Sequence, residues 1–126
     1  MVERMDDMPE GVVGLRATGK LTKDDYRDVL EPALEEAIDS GEARVVFAIP
    51  DFGGLEPSAW LEDIKTGIGV EFAQRKEWKR LAVVTDVDWI AKAMELFAWA
   101  MPGELGVYDM NGLERAKTWV VGDRDE

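Results

Sequence analysis

The sequence predicts one α/β domain: a mixed β-sheet with helices packed on it, in the order β-β-α-β-α-β-α-β-α. Three observations predict it. The runs Ala43–Ile49 and Leu81–Asp86 are nearly continuously apolar, the pattern of strands buried on both faces. Stretches of helical periodicity separate them from one another and from their neighbours. Strands joined by helical crossovers pair in parallel, so a sheet with one antiparallel hairpin at its start is the expected architecture. The chain of 126 residues, 33% charged and 46% apolar, fits a single core.

The elements follow in order. Val2 to Met5 reads as an edge strand, Met8-Pro9-Glu10-Gly11 as a turn, and Val12 to Leu21 as the second strand of a hairpin. Thr22 with Asp25 makes a capping-box-like helix start. Tyr26, Leu30, Ala33, Leu34 and Ala37 then recur at three- and four-residue spacing until Ser40-Gly41 ends helix one. Pro32 lies inside that pattern, where it removes the hydrogen bond to the Asp28 carbonyl and predicts a bend. The strand Ala43–Ile49 should be central. Pro57 suits the first turn of helix two, which runs from about Ser58 to Arg75 with Trp60, Leu61, Ile64, Ile68 and Phe72 on one broad face. Gly67 and Gly69 each weaken its middle by about 1 kcal/mol relative to Ala and read as a hinge. After Leu81–Asp86, Asp86 or Asp88 can cap helix three, which runs from Trp89 to about Met101 and stops at Pro102-Gly103. Gly106–Asp109 is a short last strand and Leu113–Val120 a closing helix. The domain spans residues 1–122, and 123–126 form a frayed acidic tail.

Composition excludes much chemistry. With no His and no Cys there is no imidazole base, no thiolate nucleophile, no disulfide and no His or Cys zinc site. A net charge of -12 argues against nucleic-acid phosphates and anionic membranes, both of which are bound through clustered Lys and Arg. Much of that charge falls on the outer face of helix one, where Asp24, Asp25, Asp28, Glu31, Glu35, Glu36 and Asp39 stand against Lys23 and Arg27, as a solvated face. The start lacks the basic residues and apolar run of a secretory signal, and no stretch approaches the roughly 20 apolar residues of a membrane span. The expected location is the cytoplasm, with no membrane insertion.

Asp51 and Asp86 each end a buried strand, where ligands collect in open α/β sheets, and two acids there can hold Mg²⁺. Capping of backbone N–H groups is the simpler reading of both, so no metal, cofactor or catalytic residue is assigned. The glycines Gly53-Gly54 and Gly67-Ile68-Gly69 lack the spacing of a dinucleotide or phosphate loop. Helix three is the most informative segment. Between Ala91 and Met101 only Lys92 and Glu95 are charged, and its second half is apolar around the whole circumference. That surface must meet more core, a second subunit of a homodimer, or an apolar ligand. Trp60, Ile64, Ile68, Phe72, Trp89, Met94, Phe97 and Met101 are the candidate lining of a groove between helices two and three. The flexible methionines adapt it to different ligands, and Gly67 and Gly69 form its hinge.

Several segments together resemble the bacterial SpoIIAA-like family: Gly19-Lys20-Leu21-Thr22 followed by Asp25-Tyr26; Leu30-Glu31-Pro32-Ala33-Leu34; Lys79 through Asp86 with Trp89 just after; and Glu114 and Ala116 shortly before Trp119. They cover nearly the whole chain in the right order. The resemblance implies a fold similar to the STAS domains of anti-anti-sigma factors and sulphate transporters, related in shape to lipid-carrying CRAL-TRIO domains. It implies a non-enzymatic binding domain, a carrier or sensor of a small apolar, lipid-like ligand, often dimeric. The alternative it implies is a protein–protein regulatory module. Anti-anti-sigma factors regulated by phosphorylation resemble one another in carrying Asp-Ser-Ser-Gly where a strand runs into a helix. Here the place reads Asp51-Phe52-Gly53-Gly54, without the phosphorylatable Ser. Ser58 stands nearby at a helix start, where a phosphate would be tolerated.

Overall fold

In the computed structural model of the chain, which describes residues 1–51, 54–55, 75–98 and 102–122, Val2–Met5 (β1) and Val13–Ala17 (β2) form the antiparallel hairpin, in register from Val2↔Ala17 to Met5↔Gly14. The turn between them is the expected one. The Val12 N–H donates to the Pro9 carbonyl at 3.1 Å, and Gly11 supplies the φ of 80° that other residues resist. The second strand is shorter than the sequence suggests. Gly19, at φ 64°, breaks the run, and Lys20–Leu21 (β3) leaves the sheet to pair in parallel with Gly54–Leu55 (β5). A residue in the left-handed region cannot continue a pleated strand, whatever the β-propensity around it.

Thr22 and Asp25 close the capping box. The Asp25 N–H donates to the Thr22 hydroxyl at 3.1 Å, while the Thr22 N–H and hydroxyl donate to the Asp25 carboxylate at 3.1 and 3.0 Å. The helix that follows is Lys23–Asp25 (α1), a π-helical stretch Tyr26–Leu30, and Glu31–Asp39 (α2). The bend expected from Pro32 is therefore a change of winding: the π stretch takes up the slack, and Pro32 falls in the first turn of a fresh α segment, where its missing N–H is harmless. Ser40 and Gly41, the latter at φ 90°, end the helix as predicted.

Ala43–Ile49 (β4) is the middle strand of a five-stranded sheet ordered β1-β2-β4-β6-β7, where β6 is Trp78–Thr85 and β7 Glu104–Tyr108. Pairing is parallel from β2 onward. Asp88–Ala98 (α3) connects β6 to β7. A 3₁₀ turn, Met110–Gly112, leads into Leu113–Val121 (α4). Helix two, expected over 58–75, falls almost entirely outside the described residues.

The sheet is covered on two sides. Leu15, Val45 and Trp78 share one core with Ala33, Ala37 and Ile38 of α2. Val46, Ala48, Ala82 and Val84 share the other with Ala116 and Val120 of α4. The steps β2 to β4 and β6 to β7 go the same way across the sheet, so right-handed crossovers give α2 and α3 one face and leave the other to α4. β4 meets core on both faces, as its unbroken apolar run requires.

Candidate functional site

The carboxyl ends of β4, β6 and β7 gather at one end of the sheet. There the Thr85 hydroxyl donates to the Ile49 carbonyl at 2.8 Å and accepts the Val87 N–H at 3.0 Å, tying the start of α3 to the end of β4. Asp51 accepts the Gly19 N–H at 2.7 Å, and Asp86 accepts the Met110 N–H at 3.0 Å. Each acid thus staples a loop. Asp86 serves the 3₁₀ turn after the neighbouring strand, while at the start of α3 the N–H groups of Ile90 and Ala91 donate to the Val87 carbonyl. Among the described residues no three acidic side chains converge as a metal would need. The two acids bond backbone N–H groups as expected, but the N–H groups they hold belong to Gly19 and Met110, far along the chain, and not to the helices expected to follow them.

α3 begins directly above these loops. Ile90 is its buried anchor, with Ala91, Ala93, Met94 and Ala98 half-buried. Trp89 and Leu96 face water at 60% and 73% exposure. Seven residues is nearly two turns, so these two side chains share one stripe, about 10 Å apart along the axis. The helix therefore presents apolar groups both inward and outward. Trp89 and Met94, five residues apart, project about 140° apart around it. Phe97 lies on α3; Trp60, Ile64, Ile68, Phe72, Met101, the glycines Gly67 and Gly69, and Ser58 lie outside the described residues.

A cluster that sequence reasoning did not single out occupies the α4 side of the sheet edge. The Arg80 guanidinium stacks 4.6 Å from the centroid of the Trp119 ring, and Trp119 meets Tyr108 at 6.1 Å with the rings tilted by 55°. Arg80 also donates to the Glu104 carboxylate at 2.7 Å. Burial pushes the Tyr108 phenol up, by more than the charges of Arg80 and Arg115 pull it down, so it stays a neutral hydrogen-bond donor. Arg80 and Trp119 both belong to the segments that carry the family resemblance, and that was the available signal. Beside the cluster, an open cleft of about 340 Å³ is lined by Trp78, Lys79, Arg80, Pro102, Gly103 and Glu104, at the amino ends of β6 and β7.

Sheet order, two-sided cover and a loop-stapled carboxyl end define a small α/β domain built on one mixed five-stranded sheet. The SpoIIAA-like family model matches residues 12–121, and the chain belongs to that family. It is similar to the crystal structure of an uncharacterized protein of the DUF3478 family with a SpoIIAA-like fold from Shewanella loihica PV-4. The two share 25% identity over 94% of this chain and 93% of that one, with a TM-score of 0.72. No curated protein matches the chain. No described helix is long and apolar enough to cross a membrane.

Proposed function

We propose that the protein is a non-enzymatic binding module that carries or senses a small apolar, lipid-like molecule, with α3 as one wall of the site. The observation that carries the reading is the outward stripe of Trp89 and Leu96, a Trp and a Leu largely exposed on a helix anchored in the core by Ile90, which projects about 100–120° away from them. Trp89, at the start of α3, stands beside the carboxyl end of β6, and α/β sheets gather ligands at that end of their strands.

Magnitude sets what else is needed. Removing both exposed side chains from water yields about 3 kcal/mol, whereas micromolar binding takes about 8 kcal/mol. A ligand held tightly must therefore gain further apolar contact, which we assign to Trp60, Ile64, Ile68 and Phe72 of helix two, with Gly67 and Gly69 as its hinge. Native mass spectrometry of the purified protein should show a co-purified apolar mass. Added oleate should shift the tryptophan emission to the blue, and the double substitution Trp89→Ala, Leu96→Ala should remove that response. Protein that carries no extra mass and whose emission ignores oleate would end this reading.

The second reading is a protein-interaction module of the anti-anti-sigma kind, lacking the phosphorylatable Ser. What favours it is the same solvent-facing stripe, which suits a flat partner. It predicts that the double substitution abolishes association with a protein partner while oleate has no effect.

A further inference from the structure

Positive charge in this acidic chain gathers at one place. Arg75-Lys76-Glu77-Trp78-Lys79-Arg80 holds four of the chain's 15 Lys and Arg against a single acid, in a protein of net charge -12. Arg75 is held by Glu77 at 2.9 Å and Arg80 by Glu104 at 2.7 Å. Lys76 and Lys79 are exposed, and among the described residues neither has a hydrogen-bond or ion-pair partner. The segment ends in the cleft of about 340 Å³ at the amino ends of β6 and β7, a volume within the range of small-molecule sites. Lys79, Arg80 and Glu104 are its charged lining residues, and Glu104 is bound to Arg80, so one ammonium is left uncompensated beside the space.

We propose that this cleft binds a small organic anion, a carboxylate or phosphate group carried on an apolar body. Lys79 meets the anionic group, Arg80 adds its charge beside it, and Trp78 and Pro102 supply the apolar wall. The site is built before the ligand arrives. Arg80 is locked in place: it donates to Glu104 and to the Trp119 carbonyl, and it stacks 4.6 Å from the centroid of the Trp119 ring. Gly103 is fixed as well, lying so close to the start of β6 that a Cβ would fall 2.7 Å from the Trp78 carbonyl oxygen. A preformed site loses little freedom on binding. Charge also selects the size of the ligand. A small anion meets the local excess of cations, whereas an extended polyanion would run onto the acids of the remaining surface.

Benzoate and phenyl phosphate carry the two anionic groups on the same ring, and benzyl alcohol is the neutral control. In low salt, the backbone amide resonances of Lys79, Arg80, Gly103 and Glu104 in isotope-labelled protein should shift saturably with at least one of the two anions, and the tighter of the two identifies the group. Benzyl alcohol should leave them unmoved, and added salt should weaken the anion's binding. Lys79→Gln should weaken binding about fivefold, whereas Glu104→Gln, which removes the acid lining the cleft, should strengthen it by about the same factor. Arg16→Gln makes the same change of net charge as Lys79→Gln, but on β2, two strands away, and should alter nothing. The proposal is overturned by the absence of a saturable shift with either anion, or by shifts that Lys79→Gln leaves as they are. Weaker binding in Glu104→Gln, or inorganic phosphate binding as tightly as phenyl phosphate, overturns it equally.

Discussion

Arg44 and Arg80 are register partners on β4 and β6, and both guanidiniums donate to carbonyls in the last turn of α4, Arg44 to Val120 at 2.7 Å and Arg80 to Trp119. Two cations side by side would repel one another. Here they meet the negative end of a helix that has no basic residue in its own last turn. Glu42 at 3.7 Å from Arg44 and Glu104 at 2.7 Å from Arg80 complete the balance. The pairing depends on an irregularity at Lys79. Ala43 opposes Trp78, but Arg44 opposes Arg80, so one extra residue in β6 turns Arg80 toward α4.

Arg44 is 2% exposed, so Arg44→Ala removes a charge-assisted bond and leaves a cavity. The expected loss is about 3 kcal/mol or more. Arg80→Ala removes the stack on Trp119, the bond to the Trp119 carbonyl and a partly exposed ion pair, and because its side chain is less buried than that of Arg44 it should lose less. Urea unfolding of the two variants side by side checks the order, and equal losses would contradict the two-arginine account of α4.

The capping box gives a pH prediction. Burial pushes the Asp25 carboxyl up, but the N–H and hydroxyl of Thr22 and the N–H of Val2 together outweigh it and hold it below the usual range. A carboxyl lowered in the folded state contributes stability above its unfolded value, about 3.9. That contribution is lost as pH falls from there through the lower folded value. Asp25→Asn should therefore be less stable than wild type at pH 7, with the gap closing below about pH 4. Thr22→Ala should cost about 1 kcal/mol. Thermal melts at pH 3 and pH 7 test both.

Lys117 bonds Asp7 at 2.8 Å and Glu114 at 2.9 Å, fastening the loop between β1 and β2 to α4. Asp7 first and Glu114 second raise its ammonium above the ordinary range. A raised group stabilises fully below its unfolded value and loses that contribution as pH rises through the folded one. Lys117→Met should speed amide exchange in residues 6–12 at neutral pH and leave the exchange of β4 unchanged.

Two glycines should respond unequally to alanine. At Gly103 a Cβ would fall 2.7 Å and 2.9 Å from the carbonyl oxygens of Trp78 and Lys79, backbone that cannot step aside. Gly103→Ala should cost about 2 kcal/mol. At Gly122 the nearest atoms are 3.4 Å away, an ordinary contact, and Gly122→Ala should be nearly neutral. Calorimetric melting of the pair measures the difference.

By itself the sequence determined the parallel sheet, the central place of Ala43–Ile49, the hairpin turn at Pro9–Gly11, the Thr22–Asp25 cap and the stop at Ser40-Gly41. Each depends on a short stretch of chain whose periodicity or backbone preference acts locally. Tertiary structure decided the rest. The carboxylate of Asp86 turned to Met110 because β7 delivers that turn alongside it, a contact across 24 residues. The bulge at Lys79 brought Arg80 level with Arg44 and under Trp119 because register between strands is set by long-range pairing, which no local pattern encodes. The outward stripe of α3 was visible as excess apolar residues on one helix. That Trp89 and Leu96 take the solvent side while Ile90 takes the core was decided by where the sheet lies beneath it.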